Sequence, residues 1–406
     1  MSTSENRGVS RRSFLQSSGT VAAAAAAVTI VRPSAVRGSQ ANSVVELGAI
    51  GCGGRGRWIA DLFQKHGKYR YVACADYFQE RADALGNTQQ VPSAARFAGL
   101  SGYKRLLEQK LDAVVIETPP YFHPEHAAAA VEAGKHVFAA KPLAVDVPGC
   151  LSIAASGKKA TAKKLVFLVD FQTRANEAFR ETARRIHAGQ IGALVCAEGR
   201  YPTGGLAGPF RHKTAEDRLR YWYPIKELSG DFIVEQSIHA LDVATWFLDA
   251  APLWAMGTGG KGVRLQADIW DHFAVIFQFP KNVPLSFTCL QAIPGAPEEI
   301  SCTALGSEGV AYGNYSSEVW IHGRHPYEGA KMKDLYTAGA VTNIADFHCA
   351  ISSGDCANAT VAPSVRSNLT AILGRTAGYK KGRVVTWDEM LGAAERWQPD
   401  LSGLKD

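Results

Sequence analysis

Val44-Val45-Glu46-Leu47-Gly48-Ala49-Ile50 runs directly into Gly51-Cys52-Gly53-Gly54-Arg55-Gly56, and this stretch decides the fold. The first part is short and mostly apolar, the pattern of a strand buried in a parallel sheet. The second is a full G-x-G-x-x-G, after which Trp58, Ile59, Leu62 and Phe63 mark one side of an amphipathic helix. Gly51 permits a tight turn, Gly53 lets the backbone approach a pyrophosphate, and Gly56 lets the helix pack close on the strand. Gly54 and Arg55 open that helix, whose N-terminus offers unpaired N–H groups and a positive dipole end. Alone the motif is weak. Its weight comes from the strand before it, the helix after it, and an acidic residue closing the next strand.

That residue is Asp76, at the end of Tyr71-Val72-Ala73-Cys74-Ala75. A carboxylate there can accept from the adenosine ribose hydroxyls and would repel a 2′-phosphate, so NAD is favoured over NADP. Asp76 can also cap the helix beginning near Gln79; its strand position and its distance from the glycines favour the ribose. The alternation continues through helix Tyr103–Gln109, strand Leu111–Ile116, the break Thr118-Pro119-Pro120, helix His123–Ala133 and strand His136–Ala139. This rhythm predicts an α/β chain whose N-terminal part is a Rossmann, doubly wound parallel sheet. Ligands on such sheets lie beyond the strand carboxyl ends, which puts Thr118, Pro119, His123, Lys141 and Pro142 near the cofactor.

From about Leu165 the pattern changes. Helices Asn176–Gly189 and Glu235–Leu248 precede strands near 253–258, 272–279, 284–290, 299–305 and 309–312. Strands joined by short Pro/Gly/Asn turns predict a C-terminal α+β domain with an open, largely antiparallel sheet and helices on one face. The expected division is a signal segment at 1–41, a dinucleotide domain at 42–164, a substrate and oligomerisation domain at 165–391, and a tail at 392–406. Residues 313–345 show little regular pattern and read as a long loop or an oligomer arm.

Composition sets outer bounds. Of 406 residues, 46% are apolar and 20% charged, enough for a substantial core in two domains or one large one. The net charge of +6 lies mostly in the first 41 residues, where Arg7, Arg11, Arg12, Arg32 and Arg37 face only Glu5. The remaining +2 leaves no electrostatic footprint for nucleic acid. Eight cysteines without a C-x-x-C pair exclude zinc modules and disulfide scaffolds, and no metal site is expected. Ser10-Arg11-Arg12-Ser13-Phe14-Leu15, the alanine-rich run Val21–Val31 and the small-x-small site Ser39-Gln40-Ala41 read as a twin-arginine export signal. A periplasmic or otherwise exported protein with no membrane span in its mature form is therefore expected.

Several segments together resemble the Gfo/Idh/MocA family of glucose–fructose oxidoreductases and inositol dehydrogenases. They are the glycine turn; Glu117-Thr118-Pro119-Pro120-Tyr121-Phe122-His123, similar to T-P-x-x-x-H; Ala133-Gly134-Lys135-His136-Val137-Phe138-Ala139-Ala140-Lys141-Pro142, similar to A-G-K-H-V-x-x-E-K-P; and Gly230 to Asp242, similar to G-G-x-x-x-D-x-G-x-H-x-x-D. Asn368–Arg375 and Val385–Glu389 also look like exported members. The resemblance covers nearly all of 44–391 and implies a homodimer or homotetramer. It also implies that Lys141 sits beside the nicotinamide and the reacting carbon. Two departures stand out: Ala140 replaces the glutamate of E-K-P, which leaves Lys141 one carboxylate short, and Glu235 replaces an aspartate.

Glu235, His239 and Asp242 would share one face of a continuous helix. The reading assigns His239 as base and acid on a substrate hydroxyl, Lys141 as stabiliser of the alkoxide, and Glu235 to orientation, relay or a sugar hydroxyl. Asp242 would fix the helix or His239. Tyr223, in Tyr221-Trp222-Tyr223 with Arg211, His212, Lys213, Arg218 and Arg220 nearby, either lines a sugar pocket or packs within its own loop. Asp271-His272 reads as structural. The leading expectation is an exported NAD-dependent oxidoreductase of a sugar or cyclitol, its dinucleotide held tightly. The rivals are a redox-neutral, NAD-retaining glycosidase and a non-catalytic binding protein.

Overall fold

Strand β1 (Val45–Ile50) is buried except at Glu46 and pairs in parallel with β2 (Tyr69–Asp76) and β4 (Ala113–Ile116). The structure, a computed structural model, describes residues 44–204 and 212–406. The expected export segment and Arg211 lie outside the described residues. With β3 (Arg96–Ala98), β5 (His136–Ala140) and β6 (Phe167–Asp170), the first sheet has the order β3-β2-β1-β4-β5-β6, all parallel. The order reverses beside β1 and opens a crevice at the carboxyl ends of the strands. Its sixth strand lies past residue 164, where the first domain was expected to close. Helices α1 (Gly54–His66), α2 (Gln79–Thr88), α3 (Gly102–Leu107), α4 (His123–Glu132) and α5 (Val147–Ala162) provide the crossovers.

Two short helices, α6 (Gln172–Ala175) and α7 (Glu177–His187), lead into the second sheet. Asn176 caps α7, its side chain accepting from the amides of Ala178 and Phe179 at 3.0 and 3.1 Å. β7 (Leu194–Thr203) had no counterpart in the sequence reading, yet it is the central strand. It pairs in parallel with β10 (Val283–Gln291) and antiparallel with β11 (Ser301–Gly306). Its exposed Val195, Glu198 and Arg200 dilute the apolar signal, and Gly199 is required because a Cβ there would meet the Phe287 ring at 2.8 Å. Between β7 and the next strands lie α8 (Ala215–Arg220), α9 (Lys226–Ser229), α10 (Phe232–Glu235) and α11 (Ile238–Leu248).

The sheet is completed by β8 (Trp254–Gly260), β9 (His272–Phe279), β12 (Gly309–Asn314), β13 (Glu318–Gly323), β14 (Tyr327–Lys331) and β15 (Val385–Thr386). Residues 313–345 are therefore not a long loop. They contain β13, β14 and the start of α12 (Leu335–Ser353), which packs Ala340, Ile344 and Phe347 into the core of the first sheet. Its Phe347 ring meets Phe138 at 5.6 Å, and Tyr69 donates to the Ile344 carbonyl at 2.8 Å. The apolar residues of α12 are spaced among alanine, glycine and threonine, which weakens its helical pattern in the sequence.

Helix α13 (Val361–Tyr379), followed by α14 (Trp387–Ala393), lies between the two sheets. Its Asn368 accepts from the amides of Leu143 and Ala144 and donates to the Ala144 carbonyl. Its buried Arg375 donates to the carbonyls of Val145 and Gly230. These bonds fix the segment that follows Lys141. Asp271 is structural, accepting from the amides of Gly262, Val263 and Arg264. Burial works against its charge, but those amides and His272 hold its pKa at about 2. No helix among the described residues is long and apolar enough to cross a membrane.

Candidate active site

A cleft of about 430 Å³ crosses the carboxyl ends of the first sheet, from Asp76 after β2 to Lys141 after β5. At its centre Gly51 has φ +97°, and a Cβ there would lie 2.6 Å from the Glu117 carbonyl carbon. A Cβ on Gly56 would lie 2.0 Å from the Gly51 oxygen, so α1 can approach the turn only as glycine. Gly53 caps α1 with no side-chain hydrogen bond, the first turn holds no acid, and Gly54 faces open space. Free amides, an open glycine cradle and a helix dipole fit the pyrophosphate of a dinucleotide.

At one end Asp76 accepts from the Cys52 amide at 2.7 Å and from the Phe78 amide at 3.0 Å. Each oxygen takes one amide and keeps lone-pair capacity toward the cleft. Burial raises its pKa, against the pull of those amides. Arg81 and Arg220 lie over the Phe78 ring at 4.7 and 3.8 Å, and both line the cleft. Arg220 and Trp222, from the stretch expected to line a sugar pocket or pack within its own loop, line this cleft.

At the other end Thr118, Pro119, Ala140, Lys141 and Glu235 line the cleft. Lys141 donates to the Glu235 carbonyl at 2.6 Å and faces its Oε1 at 3.4 Å. Burial lowers the pKa of Lys141, with Glu235 opposing. The other carboxylate oxygen of Glu235 accepts from Gln236 Nε2 at 2.6 Å, so Glu235 holds the lysine. Arg55 is a bridge within the wall: it pairs with Glu117 at 2.9 Å and Asp170 at 2.6 Å, and donates to the Tyr336 hydroxyl at 2.6 Å.

His123 and Pro142 lie behind the wall. His123 Nδ1 is 2.8 Å from the Pro142 carbonyl and Nε2 is 2.7 Å from the Thr118 carbonyl, so the ring lies between the two loops and, when neutral, donates to one of the two carbonyls. Burial pulls its pKa down to about 4. The histidine that does line the cleft is His126, one helical turn along α4, with Nδ1 3.2 Å from Thr118 Oγ1. Periodicity could have found it, since positions 123 and 126 share a face of α4.

Glu235, His239 and Asp242 do not share a continuous helix, because α10 ends at Glu235 and α11 begins at Ile238. The three side chains diverge. Asp242 is fully buried and receives Arg174 at 2.9–3.0 Å and Ser367 at 2.7 Å, with no bond to His239. His239 packs edge-on against Phe171 and Tyr315, and its Nδ1 has no hydrogen-bond partner among the described residues. Burial, then Lys141 and Arg55, push its pKa well below the ordinary value, so the ring is neutral. Tyr223 donates to Gln291 at 2.6 Å, with the buried guanidinium of Arg264 5.7 Å from its ring. Among the described residues no cluster of three or more His, Cys, Asp or Glu is placed to hold a metal.

Comparison with known proteins matches this arrangement to a family in two parts. Residues 45–171 match the oxidoreductase family with an NAD-binding Rossmann fold, and residues 179–312 match the GFO/IDH/MocA C-terminal domain. Inositol 2-dehydrogenase 3 of Saccharopolyspora erythraea is 30% identical over 209 residues, covering 50% of this chain and 54% of that protein. Levoglucosan dehydrogenase of Pseudarthrobacter phenanthrenivorans is 26% identical over 262 residues, covering 57% and 64%. The chain thus spans about half to two-thirds of the length of these curated relatives. A solved oxidoreductase domain protein from Kribbella flavida shares the fold, with a TM-score of 0.71 at 18% identity over 85% of this chain and 99% of that one. The glycine turn, the NAD-binding sheet and the second sheet together make this chain a member of the Gfo/Idh/MocA oxidoreductase family.

Proposed function

We propose that this chain is an NAD-dependent dehydrogenase acting on a hydroxyl of a sugar or cyclitol. One arrangement carries the reading: the Lys141 ammonium, pinned by Glu235 at the end of the dinucleotide cleft, in the field of which the neutral ring of His239 keeps an unpartnered nitrogen. When bound, NAD supplies the hydride acceptor. Lys141 Nζ would hold the substrate oxygen and stabilise the negative charge that builds on it as the C–H bond breaks. His239 would take the hydroxyl proton and return it in the reverse direction. Glu235 keeps Lys141 aimed, and Tyr223 with Gln291 would orient further hydroxyls. The substrate class follows the names of the relatives, which act on inositol and levoglucosan. Purified protein given NAD+ and a panel of myo-inositol, levoglucosan and common aldoses should form NADH, read at 340 nm. Tight NAD binding with no turnover on any member would instead favour the non-catalytic reading.

A second reading, retention of NAD through a redox-neutral glycosidase cycle, draws on how the adenosine end is closed. Tyr77 donates to Glu216 on α8 and accepts from the Lys405 amide, and Leu100 donates to the Lys405 carbonyl. Leu401 and Leu404 pack on the cluster of Phe78, Phe122 and Leu219. The C-terminal segment thus packs on Tyr77, Phe78, Leu100 and Leu219, which line the Asp76 end of the cleft. Protein as purified should release NAD on denaturation, and deleting residues 400–406 should speed its release several-fold. Cleavage of nitrophenyl glycosides without net NADH would select this reading over the simple dehydrogenase.

We also infer export, from Arg11-Arg12 and the apolar run behind them. Cell fractionation of the native chain and of an Arg11→Lys/Arg12→Lys variant tests it, with only the native chain expected outside the cytoplasm. A homodimer or homotetramer is inferred from the open face of the second sheet, where Val195, Met256 and Ile276 are exposed. Light scattering on the eluting protein should return two or four subunits.

A further inference from the structure

Residue 140 lies between two acids. Ile116 on β4 pairs with Ala139 on β5, and Ala140 pairs with Asp170 on β6. Glu117 is one residue past Ile116, so Glu117, Ala140 and Asp170 form a row across three neighbouring strand ends. Residues in register on parallel neighbours face the same side. Arg55 reaches over this row from α1, with Nε 2.9 Å from Glu117 and Nη2 2.6 Å from Asp170. Strands about 4.8 Å apart put the outer two positions roughly 10 Å from each other. One guanidinium thus joins the acids that flank position 140 in the row, where this chain carries only alanine. The carboxylate missing at 140 has a counterpart one strand away.

We propose that Glu117 is a second carboxylate acting on this site, held at the cleft by Arg55, and that in place of an acid at 140 its charge adds to that of Glu235 in favouring the Lys141 ammonium. The Glu117 side chain is 1% exposed yet lines the cleft with Ala140 and Lys141. The groups acting on Lys141 are Glu235 from α10, which favours its charge most, Arg55 from α1, which opposes it, and Glu117 after β4, which favours it, with the rings of His123 and His239 also in its field. Those acting on Glu117 are Arg55, Asp170 and Lys141, with Tyr71 of β2 beside it. Burial pushes the Glu117 pKa up to about 7, Arg55 pulls it down and Asp170 adds to the rise. Its charge therefore changes near neutral pH. The oxidised nicotinamide carries a positive charge that the reduced ring lacks, so an ionised Glu117 favours the oxidised dinucleotide.

The proposal rests on the reading of Lys141 as the group that stabilises the alkoxide, and the test separates the two. NAD+ binding by calorimetry and NADH binding by fluorescence are measured between pH 6 and 9 for the native protein, Glu117→Gln, Glu117→Asp and Lys141→Met. In the native protein the preference for NAD+ over NADH should rise through pH 7, and in Glu117→Gln it should be about tenfold weaker and flat with pH. The limb of the pH–rate profile set by Lys141 should move to lower pH by about one unit in Glu117→Gln, because an anion that favoured the ammonium is gone. Glu117→Asp keeps the charge and should keep the pH dependence. A folded Glu117→Gln with native preference and native profile overturns the proposal. A preference without pH dependence in both the native protein and Glu117→Asp overturns it even should Glu117→Gln fail to fold. Full activity in Lys141→Met would instead remove the reading of the lysine.

Discussion

The glycine turn at 51–56 and the acidic–histidine segment at 235–242 are motifs of similar length, but sequence spacing translates into space very differently in the two. In the turn, each residue acts through its own backbone: φ +97° at Gly51, free amides at Gly53 and Gly54, and a 2.0 Å approach at Gly56. In 235–242 the meaning lies in side chains, and a helix break at Gln236-Ser237 re-aims them. Glu235 turns to Lys141, His239 to Phe171 and Tyr315, and Asp242 to Arg174. Backbone motifs survive translation from sequence because their geometry is local. Side-chain motifs depend on partners that are distant in the sequence, such as Lys141, 94 residues from Glu235, and Arg174, 68 from Asp242.

The largest expected effect separates chemistry from binding. Lys141→Met and His239→Ala should each lower turnover by about 10²–10⁴-fold, the range for a lost proton-transfer or charge-stabilising group. NAD binding should stay within a few-fold, since neither side chain lies at the glycine turn. Near-native turnover in either variant would remove that residue from the reaction. Asp242, three residues beyond His239, should behave in the opposite way. Asp242→Ala leaves Arg174 without its bidentate partner, at a cost of about 3–5 kcal/mol in stability. Urea unfolding checks that loss, and the folded fraction should turn over normally.

Most of the first sheet was legible, because buried parallel strands are continuous apolar runs and their crossovers are periodic. In the second sheet β8 to β12 were legible as apolar runs, whereas β7, β13, β14 and the two-residue β15 were not. Its central β7 alternates with exposed charged residues, and α12 returns from the far end of the chain to cover β1, which no local pattern announces. The same limit applies at the cleft. Lys141, Glu235 and the glycines stand out in sequence, whereas Glu117 acquires its place only through Arg55 and Asp170. Asn368 and Arg375 hold the loop after Lys141 through backbone carbonyls and amides, contacts that leave no signature in a single sequence.

At the Asp76 end the backbone and side-chain roles meet in one residue, which sharpens the comparison. Asp76→Ala removes two amide bonds and the group that would repel a 2′-phosphate. Its discrimination between NAD and NADP should fall about tenfold, with roughly 1–2 kcal/mol lost in stability. Asp76→Asn should recover most of the stability and little of the discrimination. Titration calorimetry with both dinucleotides separates the outcomes, and unchanged discrimination in both variants would assign Asp76 to the loop alone.

The smallest effect concerns protons on histidines that the wall keeps neutral. Burial brings the pKa of His126 down to about 3, with His123 adding to the depression. An unfolded histidine titrates near 6.5, so between pH 6.5 and 3 the unfolded chain binds a proton at this position and the folded chain does not. The contribution of the neutral ring is then fully present above pH 6.5 and is lost as the pH falls toward 3. Glu117 and Asp231 work in the opposite sense, because burial raises their folded pKa values to about 7 and about 6, and the native state holds their protons longer. The net slope of the native protein mixes these groups, so a difference between variants is the cleaner measure. His126→Gln retains a polar group toward Thr118 and removes one titration. Its unfolding free energy, measured in urea from pH 4.5 to 6, should have a slope against pH less positive than the native one by nearly one proton, about 1.4 kcal/mol per pH unit. An identical slope in the two proteins would mean that His126 is already protonated in the folded state, and that the wall beside Thr118 admits water.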